Sequence, residues 1–141
     1  MGAHELSYSH EELENQRIAL IREVPAWLVA NAPDDPARRR AAVRQIRYLT
    51  GENYVADDLD DDVEWILKHD LGLRLPIIAN LQIDARQALL ELAAEVGVVG
   101  SGFSQTDAQF LELLGAGLQI DEDVATSIVM AAVQNEQFRA A

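Results

Sequence analysis

Apolar residues recur along the chain at helical spacing, and the breaks between these stripes fall at residues that cap or stop helices. Ser9 followed by Glu12 makes a capping box, after which Leu13, Leu20, Ile21 and Val24 trace one face. Pro25 ends or kinks this helix, or opens a short second one carrying Trp27 and Leu28. "NAPDDPA" reads as a loop, with Asp35 as N-cap and Pro36 at the first position of a helix running to about Thr50, where Gly51 is a fitting stop. Farther on, "DDLDDDVE" (57–64) opens another helix, with Asp58 as N-cap and Val63, Ile66, Leu67 and Leu71 as its buried stripe before Gly72. "LRLPIIANLQID" predicts a short helix from Pro76, and Asp84 then caps a longer one turning Leu89, Leu92, Ala93 and Val96 inward. Ser104 and Asp107 form a variant capping box ahead of Phe110, Leu111 and Leu114. Asp121 to Asp123 open the last helix, with Val124, Ile128, Ala131 and Ala132 on its inner side. No Asn-Gly or Asp-Gly hairpin signal occurs. The pattern predicts an all-α domain: a compact bundle of six or seven helices over residues 9–141, after a flexible N-terminus at 1–8.

A length of 141 residues with 49% hydrophobic side chains suits one domain able to bury a real core. The absence of cysteine excludes disulfides, thiolate-bound zinc, iron–sulfur clusters and cysteine nucleophiles. "MGAHELSYSHEE" lacks the basic and apolar regions of a secretory signal, Leu6 rules out myristoylation of Gly2, and no apolar run is long enough for a bilayer. The expected location is the cytoplasm, without membrane insertion.

The net charge of −13 repels phosphate backbones and anionic lipid, which argues against nucleic acid as a partner. "ARRRAAVRQIR" runs the other way, clustering Arg38, Arg39, Arg40, Arg44 and Arg47. Arg40, Arg44 and Arg47 share one helical face, and the cluster reads as a solvated face offset by nearby acids. No aromatic residue is interleaved within it to stack on bases.

Candidate chemistry centres on carboxylates. Asp58, Asp60 and Asp62 alternate as the first ligands of a calcium loop do, but Val63 occupies the position that needs glycine and His69 the position that needs glutamate. This is not an EF-hand. A looser divalent-cation site, with calcium as the fitting ion, would use Asp58, Asp60 and Asp62, with Asp34 and Asp35 as a second cluster. The competing reading, which the caps favour, is an acidic helix start whose remaining acids face solvent. On that reading, replacing Asp58 with Ala costs roughly 0.5–2 kcal/mol and neutralising Asp62 costs much less. His4 and Glu5 resemble the start of HExxH, but Tyr8 stands at the closing position. "GVVGSG" lacks the Lys-Ser/Thr ending of a phosphate loop and follows a helix. Trp27 and Trp65 read as core or interface anchors, and His69 as a cation placed near a helix C-terminus. No catalytic constellation and no cofactor are expected.

"LLELAAEVGVVGSGFSQTDAQFLELLGAGLQIDEDV" resembles the tellurite-resistance TerB-like family over roughly residues 84–129. Leu89 to Gly97 match the family's small-residue-rich helix, Gly102 its loop glycine, Phe103 the apolar residue after it and Ser104 the cap. "LLGAGLQIDED" matches the ending. The resemblance implies an all-helical fold of two related halves, with calcium held by acidic loops in some members. Two positions depart from it: Ser101 replaces the loop aspartate and Asp107 the helix-opening glutamate. In the first half Asp34 and Asp35 are in place, but arginines follow where an acid is expected. Both changes weaken an inherited calcium site. The expectation is a non-enzymatic module that binds other proteins, in a tellurite or stress-response assembly, with a calcium sensor or buffer as the alternative.

Overall fold

The computed structural model describes residues 10–69, 82–100 and 103–140. Among them are six α-helices and no strand: α1 (His10–Ala30), α2 (Pro36–Thr50), α3 (Ala56–Lys68), α4 (Ile83–Gly97), α5 (Gln105–Gly117) and α6 (Glu122–Ala140). The all-α expectation therefore holds. The proposed caps at Ser9, the helix stop at Gly72, the short helix from Pro76 and the loop residues Ser101 and Gly102 lie outside the described residues.

Local signals placed α2 and α5 correctly. Asp35 accepts hydrogen bonds from the Ala37 and Arg38 amides at 3.1 and 3.2 Å, satisfying donors that the first turn leaves open. Gly51 takes the left-handed conformation (φ 70°) and donates its N–H to the Arg47 carbonyl. Ser104 and Asp107 exchange the two bonds of a capping box.

Other boundaries shift for tertiary reasons. α1 runs straight through Pro25, because Val24, Ala26, Leu28 and Val29 are all fully buried and their packing outweighs one missing backbone donor. α3 begins at Ala56, so Asp58 is not the N-cap. It occupies the third helical position and accepts from the Val55 amide at 2.9 Å, while Val55, the cap residue, offers no side-chain acceptor. The cause is Leu59, which is fully buried and forms the inner stripe with Val63 and Ile66. Leu67, expected inside, falls off this stripe and is 72% exposed. Likewise Gln82, not Asp84, is the N-cap of α4, and Val124 and Ala131 on α6 are exposed while Ala132 is buried.

Helices α1 and α4 form the centre and pack on each other. α2 and α3 lie on α1 and touch each other; α5 and α6 lie on α4 and touch each other. The second three helices thus repeat the pairing of the first three. α2 also reaches α4, so the two halves share one core, built from Leu20, Leu28, Ile46, Leu90, Leu111 and their neighbours. Trp27 on α1 stacks on Phe110 of α5, with ring centroids 4.0 Å apart and planes within 9°. Trp65 stacks on His69, whose Nδ1 lies 2.8 Å from the Trp65 carbonyl at the end of α3.

Candidate functional site

The acidic residues singled out as cation ligands are not brought together. Among the described residues, no group of three or more His, Asp or Glu side chains could hold a metal ion. Asp34 is exposed in the α1–α2 loop, and Asp35 is the cap of α2. Asp58 holds the Val55 amide, and Asp60 pairs with Arg39 across the α2–α3 boundary.

Asp62 was expected to face solvent, but its side chain is only 16% exposed. It receives a bidentate pair from Arg22 of α1 at 3.0 and 3.1 Å and the Tyr54 hydroxyl at 2.6 Å. Burial, then the bond to Asp62, pushes the Tyr54 phenol far above its ordinary pKa, so it remains a donor at any physiological pH. The stability ranking is accordingly reversed. Replacing Asp62 with Ala strands the hydroxyl of Tyr54, itself 2% exposed, and is expected to cost about 1–3 kcal/mol. Asp58→Ala loses one exposed bond and is expected to cost less than about 1 kcal/mol. Urea unfolding of the two variants gives the order directly; a larger loss for Asp58→Ala would contradict it.

The arginine segment divides in two. Arg38 was expected on a solvated face, yet it is fully buried. It sits on the same helical face as Ala42 and Ile46, four and eight residues on, and that face is the core face. Its guanidinium donates to the Leu28 carbonyl at 3.1 Å and the Gly97 carbonyl at 2.7 Å, at the C-terminal ends of α1 and α4. Two further bonds, 3.1 and 2.9 Å, form a fork with Asp107. A cation thus meets two helix C-termini, and its carboxylate partner lies at the N-terminus of α5, so each charge sits at the helix end that favours it. Asp107 also accepts from Asn31 and from the amide and hydroxyl of Ser104. Burial raises its pKa, but the bonds from Arg38, Ser104 and Asn31 outweigh burial and hold the carboxyl below its usual range.

That depression has a defined sign. A carboxylate with a lowered folded-state pKa contributes stability fully above the unfolded-state value, about 3.9 for aspartate, and loses it as pH falls through the lower folded value. Stability measured as pH falls below about 4 is expected to decline, and Asp107→Asn is expected to flatten that decline. An unchanged acid profile in Asp107→Asn would remove Asp107 as a source.

The remaining arginines face outward. Arg39, Arg40, Arg44 and Arg47 line a groove of about 730 Å³ between α2 and α3, together with Val43, Leu59 and Tyr48. Arg40 and Arg44 are exposed and have no acidic partner among the described residues. Tyr48, one residue beyond the arginine segment, is 82% exposed. It also borders a second groove of about 750 Å³ where α2, α4 and α6 meet, lined by Leu49, Leu92, Val124 and Ile128 among others. Sequence reasoning passed over Tyr48. The available signal was its position four residues after Arg44, which puts an aromatic ring on the arginine face.

No protein-family model, curated protein or solved structure matches this chain. No helix among the described residues is long and apolar enough to cross a membrane.

Proposed function

We propose that the protein is a non-enzymatic, cytoplasmic helical module that works by binding other proteins, using the outward face of α2. The observation that carries this reading is Tyr48, a large amphipathic ring standing almost wholly in solvent on the rim shared by two neighbouring grooves. Tyrosine combines a broad apolar area with a polar tip and few rotatable bonds, which is why it anchors protein interfaces. Among the described residues, no histidine lines either groove. The resemblance of residues 84–129 to the TerB-like family supplies a setting for the module, an assembly responding to tellurite or related stress. A cation buffer draws less support, because four of its five candidate carboxylates already serve caps or arginines.

Site-specific crosslinking tests the reading. A benzophenone side chain introduced at position 48, and separately at the equally exposed Phe138, is activated in cells and the adducts are identified by mass spectrometry. A discrete protein adduct at position 48, absent at 138, is the expected result. No adduct at position 48, or the same adducts at both positions, would overturn it.

A further inference from the structure

We infer that the α2–α3 groove binds a short acidic segment of a partner protein, with carboxylates at alternate positions and apolar residues between them. The inference rests on the protein-binding reading and names the chemistry of the occupant.

Charge distribution is the first ground. The chain carries 24 acids against 11 basic residues, yet four of those 11, Arg39, Arg40, Arg44 and Arg47, line this one groove. Arg40 and Arg44 are exposed and have no acidic partner among the described residues, which leaves their charge to a carboxylate-bearing ligand.

The second ground is the kind of cation. All four are arginine, whose planar fork matches a carboxylate with two parallel bonds. This protein uses that fork repeatedly: Arg22 holds Asp62 and Arg38 holds Asp107 in this way. At the edge of the groove, Arg39 pairs with Asp60 of α3.

Spacing supplies the third. Arg40 and Arg44 are one helical step of four residues apart, about 6 Å along the axis. Alternate residues of an extended peptide are about 6.7 Å apart and face the same side. A peptide lying between the helices therefore turns successive alternate acids toward Arg40 and Arg44. Its intervening side chains face α3, where the exposed Ala56 lines the groove, and Tyr48 lines it as well.

Length separates this occupant from a nucleic acid. The arginines and Tyr48 span residues 39–48, about 14 Å of helix, which is about four extended residues. A short acidic segment stays within that span. A longer polyanion runs beyond it, onto a surface whose net charge is −13 for the whole chain, at distances screened only over about 8–10 Å.

The test is fluorescence anisotropy on the full chain with a short labelled peptide alternating glutamate with leucine. Its glutamine counterpart and a labelled single-stranded DNA serve as competitors in class. The glutamate peptide is expected to bind saturably, at least about tenfold more tightly than the glutamine peptide or the DNA, and more weakly as salt rises. The Arg40→Glu/Arg44→Glu double variant is expected to lose at least about tenfold in affinity, and Tyr48→Ala several-fold. All three positions are exposed, so the thermal melts of these variants stay close to that of the parent. Equal binding of the glutamine peptide, undiminished binding by the double variant, or tighter binding of DNA would each overturn the inference. A crosslinked adduct at position 48 without acidic-peptide binding removes the acidic occupant alone; loss of both removes the protein-binding reading as well.

Discussion

Replacing Arg38 with Ala is expected to destabilise the domain by about 3–5 kcal/mol, the range for removing one member of a buried ion pair. Asp107 would remain at 1% side-chain exposure with its fork partner gone, and the Leu28 and Gly97 carbonyls would each lose a donor. A loss of this size is a large fraction of the stability of a small domain. Arg38→Lys restores the charge without the fork, since one ammonium cannot reach both carboxylate oxygens and both carbonyls in the same geometry, and is expected to recover only part of the loss. Replacing both members, as Arg38→Met with Asp107→Leu, leaves no unpaired charge and is expected to cost less than the sum of the single changes. Urea denaturation of these three variants and of the single changes Arg38→Met and Asp107→Leu measures all of this. An Arg38→Ala loss under about 1 kcal/mol, the size of an exposed pair, would show that the fork contributes little.

Gly100→Ala is expected to be the next most damaging change. Gly100 has φ 91°, which an L side chain reaches only with strain of roughly 1–3 kcal/mol. A methyl there would also land on the carboxylate of Asp35, which is fixed in place as the cap of α2. The displaced cap adds about 0.5–2 kcal/mol. Gly51 provides the control. It too is left-handed, at φ 70°, but a methyl there meets nothing within 4 Å, so Gly51→Ala is expected to show the backbone strain alone. Thermal melts of the two variants should differ, with Gly100→Ala lower by several degrees. Equal melting temperatures would mean that Asp35 yields without losing its cap.

The fork of Arg38 also ties the two halves together. It joins the C-termini of α1 and α4 to the N-terminus of α5 from its own place on α2, so four of the six helices end on one guanidinium and its carboxylate. An apolar contact tolerates sliding; a buried fork does not, because any shift leaves a charged group short of a partner.

Much of the helical plan was legible in the sequence because it depends on neighbours within four residues. Asp35, Pro36 and Gly51 bound α2, and Ser104 with Asp107 opens α5, through bonds that close inside a single turn. The helical period of the apolar positions identified Leu20, Ile21, Leu89, Leu92, Leu111 and Leu114 as core. What failed were choices between near-equal local options. An acidic run such as 57–62 satisfies a helix start in more than one register, and the burial of Leu59 decided among them. Pro25 could end a helix or sit inside one, and the apolar contacts around it decided for the latter.

The outward-facing chemistry was half legible. Arg40, Arg44 and Arg47 share a face by helical geometry alone, and the sequence placed them together. Whether that face is bare or forms the wall of a groove depends on where α3 lies, and nothing within α2 carries that information. Asp62 is the same case: its neighbours in sequence are acids, while its partners, Arg22 and Tyr54, come from another helix and a loop. Arg38 is the sharpest instance. Its spacing from Ala42 and Ile46 put it on the apolar face, but a buried guanidinium is stable only if carbonyls and a carboxylate converge on it. Those come from residues 10, 59 and 69 positions away. By itself the sequence determined most of the helices, the caps of α2 and α5 and the greater part of the apolar faces, because these are set by short-range backbone bonding and periodicity. The charge pairing, the burial of Arg38 and the groove beside Tyr48 were decided only by tertiary structure, because desolvation and ion pairing are settled by which distant groups the packed core brings within reach.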